Sequence, residues 1–426
     1  MLQVPYIRNN REEVIAGLKK RAWNDERIAV LDEVISVDDK RKEQKTELDQ
    51  LFASINSIST TIGKLFKEGK REEAEAQKSQ VTAIKERSKQ LEESLKQTEK
   101  DLTELLYTIP NVPDAKVPAG VSEEDNEVYQ DWDKSMPDLP ENATPHWELM
   151  EKYNLVDFKM GVKITGAGFP LYRGKGAKLQ RALINFFIDE AEAAGYEEII
   201  PPLLVNEASG IGTGSLPDKE GQMYHAEKDN LYLIPTAEVP ITNMYRGDIL
   251  DPSVFPIKLS GFTPCFRREA GSYGSDVKGL NRVHQFDKIE IVQIQHPEKS
   301  MDTLYEMLDH VKMLLTKLEL PYRILTLCGG DLTFASSLTY DFEVFSAAQE
   351  KWLEVSSVSN FKTFQSNRMK LRYKDENKKK HLAHTLNGSA LALARIYAAL
   401  LENNQTADGI RIPDALRNYT RFDYIK

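Results

Sequence analysis

Two apolar seams with the same spacing run through the first hundred residues, and they limit what this part of the chain can become. Leu48, Leu51, Ile55, Ile58, Ile62 and Leu65 follow one another at steps of 3, 4, 3, 4 and 3. After a polar break at Lys67-Glu68-Gly69-Lys70, Val81, Ile84, Ser88, Leu91, Leu95, Thr98, Leu102 and Leu105 repeat the pattern. Steps of three and four keep these side chains on one stripe of an α-helix, and such a stripe is stable only against another. The spacing therefore predicts two antiparallel helices, each about 30 residues and roughly 45 Å long. A helix cannot continue past Ile109-Pro110, and the segment from Pro110 to Pro118 is too proline-rich for helix or central strand. A first domain over 1–109 and a linker over 110–145 follow. Between Lys40 and Tyr107 the arm carries 14 basic and 13 acidic side chains, so the net charge of −10 lies elsewhere in the chain. That balance leaves two readings open: a solvated coiled coil, or an arm that touches RNA phosphates.

Residues 146–426 have a different texture. Leu179, Leu183, Phe186, Phe187 and Glu190 recur at helical spacing between Gly176 and Ala194. Strand-like runs stand at 198–200, 231–234, 286–295 and 323–327. Their order is not a βαβ alternation, which points to an α+β domain with an antiparallel sheet. There is no glycine-rich loop of the Rossmann or Walker type, so a nucleotide would need another kind of site. With 66 acidic against 56 basic side chains, the chain is not a general coat for nucleic acid, and any RNA contact must be local. Two cysteines, Cys265 and Cys328, are too few for a disulfide framework or a four-cysteine zinc site. The histidines are scattered, and His381 with His384 reads as a satisfied surface pair. No run approaches the ~20 apolar residues of a membrane span, and the N-terminus lacks the apolar core of a signal peptide. A cytosolic protein is expected.

Four segments could carry chemistry. Phe266-Arg-Arg-Glu-Ala-Gly-Ser-Tyr-Gly274 and Arg282-Val-His-Gln-Phe-Asp-Lys-Ile-Glu290 look like two strands around a Gly- and Ser-rich loop. Strand alternation would place Arg267 with Glu269 on one face, and Phe286, Lys288 and Glu290 on another. An arginine fork suits phosphate, a carboxylate suits an amine, and an aromatic face suits a purine. A hairpin with surface salt bridges fits the same residues. Pro235-Thr-Ala-Glu-Val-Pro240 presents a hydroxyl and a carboxylate, or simply an N-cap before a helix. Glu354-Val-Ser-Ser357 has the oxygen donors that Mg²⁺ uses while keeping waters and phosphates. Leu386-Asn-Gly-Ser-Ala-Leu-Ala-Leu-Ala-Arg395 reads as a helix opened by Asn387, Gly388 and Ser389, with Arg395 reaching toward a phosphate; an alanine-rich core helix is the plainer alternative.

Taken together and in this order, the hairpin, the Thr-Ala-Glu segment, the Phe-Arg-x-Glu-Ala-Gly-Ser loop followed by His-Gln-Phe, and the Leu-Asn-Gly-Ser segment resemble the class II aminoacyl-tRNA synthetases of the serine type. The resemblance spans almost the whole chain. Departures are confined to Arg268, Ala390 and Ala394, where that family often has a small residue, glycine and glycine. The resemblance implies a class II antiparallel sheet with flanking helices behind the tRNA-binding hairpin. It implies an L-serine pocket from Thr236, Ala237, Glu238, Arg267, Glu290, Asn387 and Ser389. ATP would meet Arg267, Arg268, Glu269, Val283, Phe286, Glu354, Val355, Ser356, Ser357 and Arg395, with Mg²⁺ on Glu354 and Ser357. Arg267, Arg395 and Glu354 would be catalytic. The implied activity activates serine with ATP and passes it to serine tRNA, with selenocysteine tRNA left open as a second acceptor. It also implies a homodimer, with the helix near Gly176 at its interface. An amino acid ligase for a carrier protein, or a non-catalytic coiled-coil scaffold, are the competing readings. The eight basic side chains between Lys362 and Lys380 suggest a loop that meets the acceptor end, or a solvated turn.

Overall fold

The computed structural model describes residues 1–136, 143–218, 221–269 and 278–426 of the chain. It divides into two units: Leu2–Lys19 with Trp23–Pro110, and Met1 and Lys20–Ala22 with Asn111–Lys426.

In the first unit the seams form as the spacing requires. Helix α1, Val30–Lys67, and helix α2, Arg71–Thr108, each have 38 residues, about 57 Å at ~1.5 Å per residue. The break between them falls at Glu68, Gly69 and Lys70, where Gly69 takes the positive φ of 78° that a side chain would resist. Leu48, Leu91 and Leu95 form the buried seam, with Leu51 packed against them. Every expected seam position is buried or half-buried. Ser88 and Thr98 are buried without breaking the helix, because each hydroxyl donates to a backbone carbonyl one turn back, that of Lys85 and of Ser94. The helix stops at Thr108, ahead of Pro110.

The second unit is built on an eight-stranded sheet. Its strands are β1 (Glu127–Gln130), β2 (Glu197–Glu198), β3 (Ile257–Phe266), β4 (Gln285–Gln295), β5 (Tyr322–Thr326), β6 (Leu338–Ser346), β7 (Lys351–Lys362) and β8 (His384–Ala392). Their spatial order is β1-β5-β6-β7-β8-β4-β3-β2. Every neighbouring pair is antiparallel except β2 with β3 at one edge. The stretch 110–145, expected as a linker, supplies the opposite edge: β1 pairs with β5. This edge strand, Glu-Val-Tyr-Gln, buries none of its residues, so it has no alternation of buried and exposed positions to announce it.

Three helices cover this sheet: α3 (Gly174–Ala193), α5 (Ser300–Lys317) and α6 (Leu393–Asn403). Leu179, Leu183, Phe186 and Phe187 of α3 belong to the main apolar core together with Ile289 and Ile291 of β4. The apolar side of α3 is thus spent on its own chain, and Arg181, Asn185 and Asp189 face outward. On the other face of β4, Val292 packs with Ala237, Ile241 and Leu259, so the short helix α4 (Glu238–Asn243) lies over the sheet there. Gly261 of β3 permits this close approach. A Cβ at that position would stand 2.7 Å from Ile241 Cδ1 and 2.8 Å from the Ile199 carbonyl.

One element differs in kind from expectation. Asn387, Gly388 and Ser389 lie in the strand β8, not at the start of a helix, and the helix begins only at Leu393. The Ala- and Leu-rich sequence has high helix propensity, but β7 and β4 on either side pair with it and bury it, and long-range pairing outweighs local preference.

Candidate active site

Strand register assembles the site. Ser389 of β8 is paired with Glu290 of β4, and Glu290 in turn with Gly261 of β3. On the other side Asp341 of β6 pairs with Ser357 of β7. Val358 of β7 pairs with Gly388 of β8, so one step along the ladder Ser357 stands level with Ser389. Asp341, Ser357, Ser389 and Glu290 therefore form one row across four strands. Paired residues of an antiparallel ladder share a face, which is why these polar groups meet although 48 residues separate Asp341 from Ser389. The Ser356 hydroxyl ties the two central strands by donating to the Ser389 carbonyl at 2.6 Å.

At the Glu290 end the side chains close into a buried polar network. Thr236 Oγ1 donates to Glu290 Oε2 at 3.0 Å, and Asn387 Nδ2 donates to Glu290 Oε1 at 2.8 Å and to Glu238 Oε2 at 2.9 Å. Lys288 Nζ lies 2.7 Å from Glu290 Oε2, with both side chains almost wholly out of solvent. Gln365 Nε2 donates to Glu238 Oε1 at 2.6 Å, and its own Oε1 accepts from Thr385 Oγ1 at 2.7 Å. The network thus holds two carboxylates and one ammonium. Burial, and then the negative charge of Glu290, raises the Glu238 carboxyl from 4.5 to about 7. A ligand that brings its own cation would relieve that strain, which is the charge pattern an α-amino group satisfies.

Two arginines border the network. Arg267 follows directly on β3, its guanidinium 5.3 Å from the centre of the Phe286 ring and its Nε donating to the Pro235 carbonyl at 3.4 Å. Arg395 stands in the first turn of α6, donating from Nε to the Asn281 carbonyl at 3.0 Å and from Nη1 to the Glu354 carbonyl at 2.6 Å. Its Nη1 is also 3.6 Å from Glu354 Oε2. The expected strand alternation fails beyond Phe266, because β3 ends there and Glu269 has φ of 48°. Glu269 instead accepts from Arg282 Nη1 at 3.3 Å, and Arg268 is exposed with its guanidinium 5.8 Å over the Tyr224 ring. Val283 and Val355 are buried beside these groups and offer backbone rather than side chain. The residues from Ala270 to Gly274 of the expected loop lie outside the described residues.

The divalent-ion donors expected at Glu354 and Ser357 are adjacent: Ser357 Oγ donates to Glu354 Oε1 at 3.3 Å. Asp341 adds what the spacing did not reveal. Its Oδ1 is buried with no hydrogen-bond partner among the described residues, and burial together with the Glu354 charge pushes its carboxyl well above the usual range. An orphaned carboxylate oxygen beside two further oxygen donors fits a hard cation that completes its shell with water and phosphate.

Residues 1–113 match the family described as the seryl-tRNA synthetase N-terminal domain, and residues 222–404 match the tRNA synthetase class II core domain (G, H, P, S and T). A serine–tRNA ligase of Salinibacter ruber is 47% identical over 99% of this chain and 98% of its own length. The chain belongs to the serine–tRNA ligase family. The serine–tRNA ligase of Chlorobaculum parvum is 44% identical over the full length of both chains. The crystal structure of seryl-tRNA synthetase from Pyrococcus horikoshii complexed with ATP covers 99% of each chain with a TM-score of 0.91 and 33% identity. The eight-stranded sheet with its helices is the class II synthetase fold. Within this serine–tRNA ligase family member, the polar groups that sequence reasoning missed are Asp341, Gln365 and Lys288 as a partner of Glu290. Lys288 had a signal, its alternation with Glu290; Gln365 and Asp341 had none, since only folding brings them to the site.

Two further expectations change with the structure. Of the eight basic residues between Lys362 and Lys380, Lys362 is paired with Asp114 at 2.8 Å, and Arg368 is buried, donating to the carbonyls of Ile211 and Leu216. The exposed charge is therefore carried by Lys370, Lys374, Lys378, Lys379 and Lys380. His381 and His384 do not form a surface pair. His384 bonds Ser300 Oγ at 2.7 Å and burial lowers it to about 4, while His381 bonds Asp375 Oδ2 at 2.8 Å.

Proposed function

We propose that this chain activates L-serine with ATP and transfers it to the 3′ end of serine tRNA. The observation that carries the reading is the buried network of Thr236, Glu238, Glu290 and Asn387 flanked by Arg267 and Arg395. It has hydrogen-bonding groups for a small polar side chain and an acidic wall for an ammonium, with guanidinium groups beside it for carboxylate and phosphate. Glu238 and Thr236 would hold the amino group, with the Ala237 backbone between them. Glu290 and Ser389 would meet the hydroxyl. A pocket whose polar groups are left unpaired by alanine can reject it by about 10⁴ or more, while crowding excludes threonine.

In the first step a serine carboxylate oxygen attacks the α-phosphorus, and the bond to the bridging oxygen breaks as pyrophosphate leaves. Arg267 would bridge the attacking carboxylate and the α-phosphate, which aligns them and stabilises the growing negative charge. Glu269 and Phe286 would take the adenine end, and Arg395 the γ-phosphate. Glu354 and Ser357, with Asp341 beneath them, would hold Mg²⁺, which when bound neutralises charge on the phosphate oxygens. In the second step a hydroxyl of the terminal ribose attacks the adenylate carbonyl and AMP leaves. No covalent enzyme intermediate is required.

Serine tRNA is the acceptor that an RNA-gripping hairpin suits, and selenocysteine tRNA shares the need for recognition by shape. A carrier-protein ligase would have no use for that hairpin. A second copy of the chain would complete a homodimer. Val162, Ile164 and Ile200 are apolar side chains left exposed on one copy, whereas the outward side of α3 is polar. Amino-acid-dependent ATP–pyrophosphate exchange, run over all twenty amino acids, tests the function. Serine alone should support exchange, and Arg267→Ala should abolish it. Exchange with another amino acid, or an unimpaired Arg267→Ala, would refute the reading, and failure to charge serine tRNA would direct it to the carrier-protein alternative.

A further inference from the structure

A buried cluster behind the nucleotide side of the site carries no role in the reaction as described above. Glu402, near the C-terminal end of α6, is wholly buried, and so is His146. His146 donates to Glu402 Oε1 from its backbone N–H at 2.9 Å and from Nδ1 at 2.7 Å. Gln349 Nε2 donates to the same oxygen at 3.2 Å, and Ser346 Oγ donates to Oε2. Four donors satisfy a buried carboxylate, and despite its burial the hydrogen bonds, with His146 foremost, hold it below the ordinary glutamate range.

The other ring nitrogen of His146 fixes its form. Nε2 accepts from the Leu280 backbone N–H at 3.0 Å, so it carries no proton, and Nδ1 must carry the one donated to Glu402. The imidazole is a neutral bridge from Glu402 to the segment 279–281. That segment is shaped to reach it. Gly279 has φ of 67°, and a Cβ there would stand 2.2 Å from His146 Nε2. Asn281 is secured from its other side, its Nδ2 donating to Gln349 Oε1 at 2.9 Å. The carbonyl of this same Asn281 accepts from Arg395 Nε at 3.0 Å. Glu402 and Arg395 belong to one helix, so the cluster closes a ring: helix α6, Glu402, His146, the 279–281 turn, and back to the arginine of α6.

We propose that His146 and Glu402 are positioning residues for ATP: they hold the 279–281 turn so that the Asn281 carbonyl orients the Arg395 guanidinium toward the triphosphate. This rests on the reading of Arg395 as a phosphate ligand, and the experiment separates the two. His146→Asn keeps a donor near Glu402 but is too short to accept from Leu280. His146→Gln reaches Leu280 with an acceptor and sacrifices geometry at Glu402. Both disturb the buried cluster, but only the first frees the turn.

The assay is serine-dependent pyrophosphate exchange with the full-length protein, measuring KM for ATP and for serine, alongside thermal melting. His146→Asn should raise KM for ATP about tenfold, the worth of a hydrogen bond that orients a charged group, with KM for serine unchanged. His146→Gln should recover most of that loss at a similar melting temperature. Adding His146→Asn to Arg395→Ala should produce little further change. Equal effects of His146→Asn and His146→Gln on KM for ATP, or losses that multiply in the double variant, would overturn the positioning role. An Arg395→Ala protein with normal KM for ATP would overturn the phosphate-ligand reading and this proposal with it. If His146→Asn does not fold, Gln349→Met removes the link to Asn281 together with one of the four donors to Glu402, leaves His146 in place, and should raise KM for ATP in the same direction; no change there would also refute the proposal.

Discussion

The proposed role of Glu238 in holding the serine amino group predicts that serine capture depends on pH in a range where serine itself does not titrate. Its carboxyl is raised to about 7 by burial and by the neighbouring Glu290, so near neutrality it is half protonated in the empty site. An ammonium ion needs it charged. The fraction charged is about 0.9 at pH 8 and about 0.1 at pH 6, so kcat/KM for serine should fall about tenfold across that window, a factor equal to one unit of pKa. Stability runs the other way. A carboxyl raised above its unfolded value of 4.5 favours the folded state most below that value, and the contribution is lost as pH rises through about 7. Glu238→Gln should therefore raise the melting temperature of the ligand-free protein at pH 8, lose that advantage near pH 4.5, and reduce kcat/KM for serine about 10- to 100-fold at pH 8 through loss of a charge-assisted contact. Pyrophosphate exchange at saturating ATP from pH 6 to 8, with melting curves in the same buffers, measures both. A flat kcat/KM profile in the unmodified protein, or an unchanged slope in Glu238→Gln, would refute the reasoning.

Glu290→Gln keeps the shape of the network but leaves Lys288 without its counter-charge, so it should cost about 3 kcal/mol in stability and lower serine-over-alanine discrimination at least tenfold, read by exchange with each amino acid. Reversing the charge of Lys378, Lys379 and Lys380 should raise KM for tRNA while sparing adenylate formation; equal loss of both would discard that loop as a contact for the acceptor end. Leu95→Ala in the hairpin seam should destabilise the arms by about 2–4 kcal/mol, increasing amide exchange in α1 and α2 and weakening tRNA charging, with pyrophosphate exchange unchanged.

The hairpin was legible residue by residue, because a heptad seam is a local rule: each position needs only its neighbours three and four away, and the partner seam lies across a three-residue turn. The proline stop at 109–110 is equally local. The chemical groups of the site were legible as types, through the order of their segments, and the resemblance they carry extended that order to a fold. Tertiary structure decided the rest. It made a strand of Asn387–Ser389, since pairing on both edges outweighs the helical preference of alanine and leucine. It aligned Asp341, Ser357, Ser389 and Glu290 by ladder register, and brought Gln365 to Glu238 and His146 to Glu402. None of these pairings has a sequence period, because the two side-chain contacts span 127 and 256 positions and the others depend on which strand lies next to which. Local order could announce which side chains are present; only packing could determine which of them lose water, share a proton or face the same ligand.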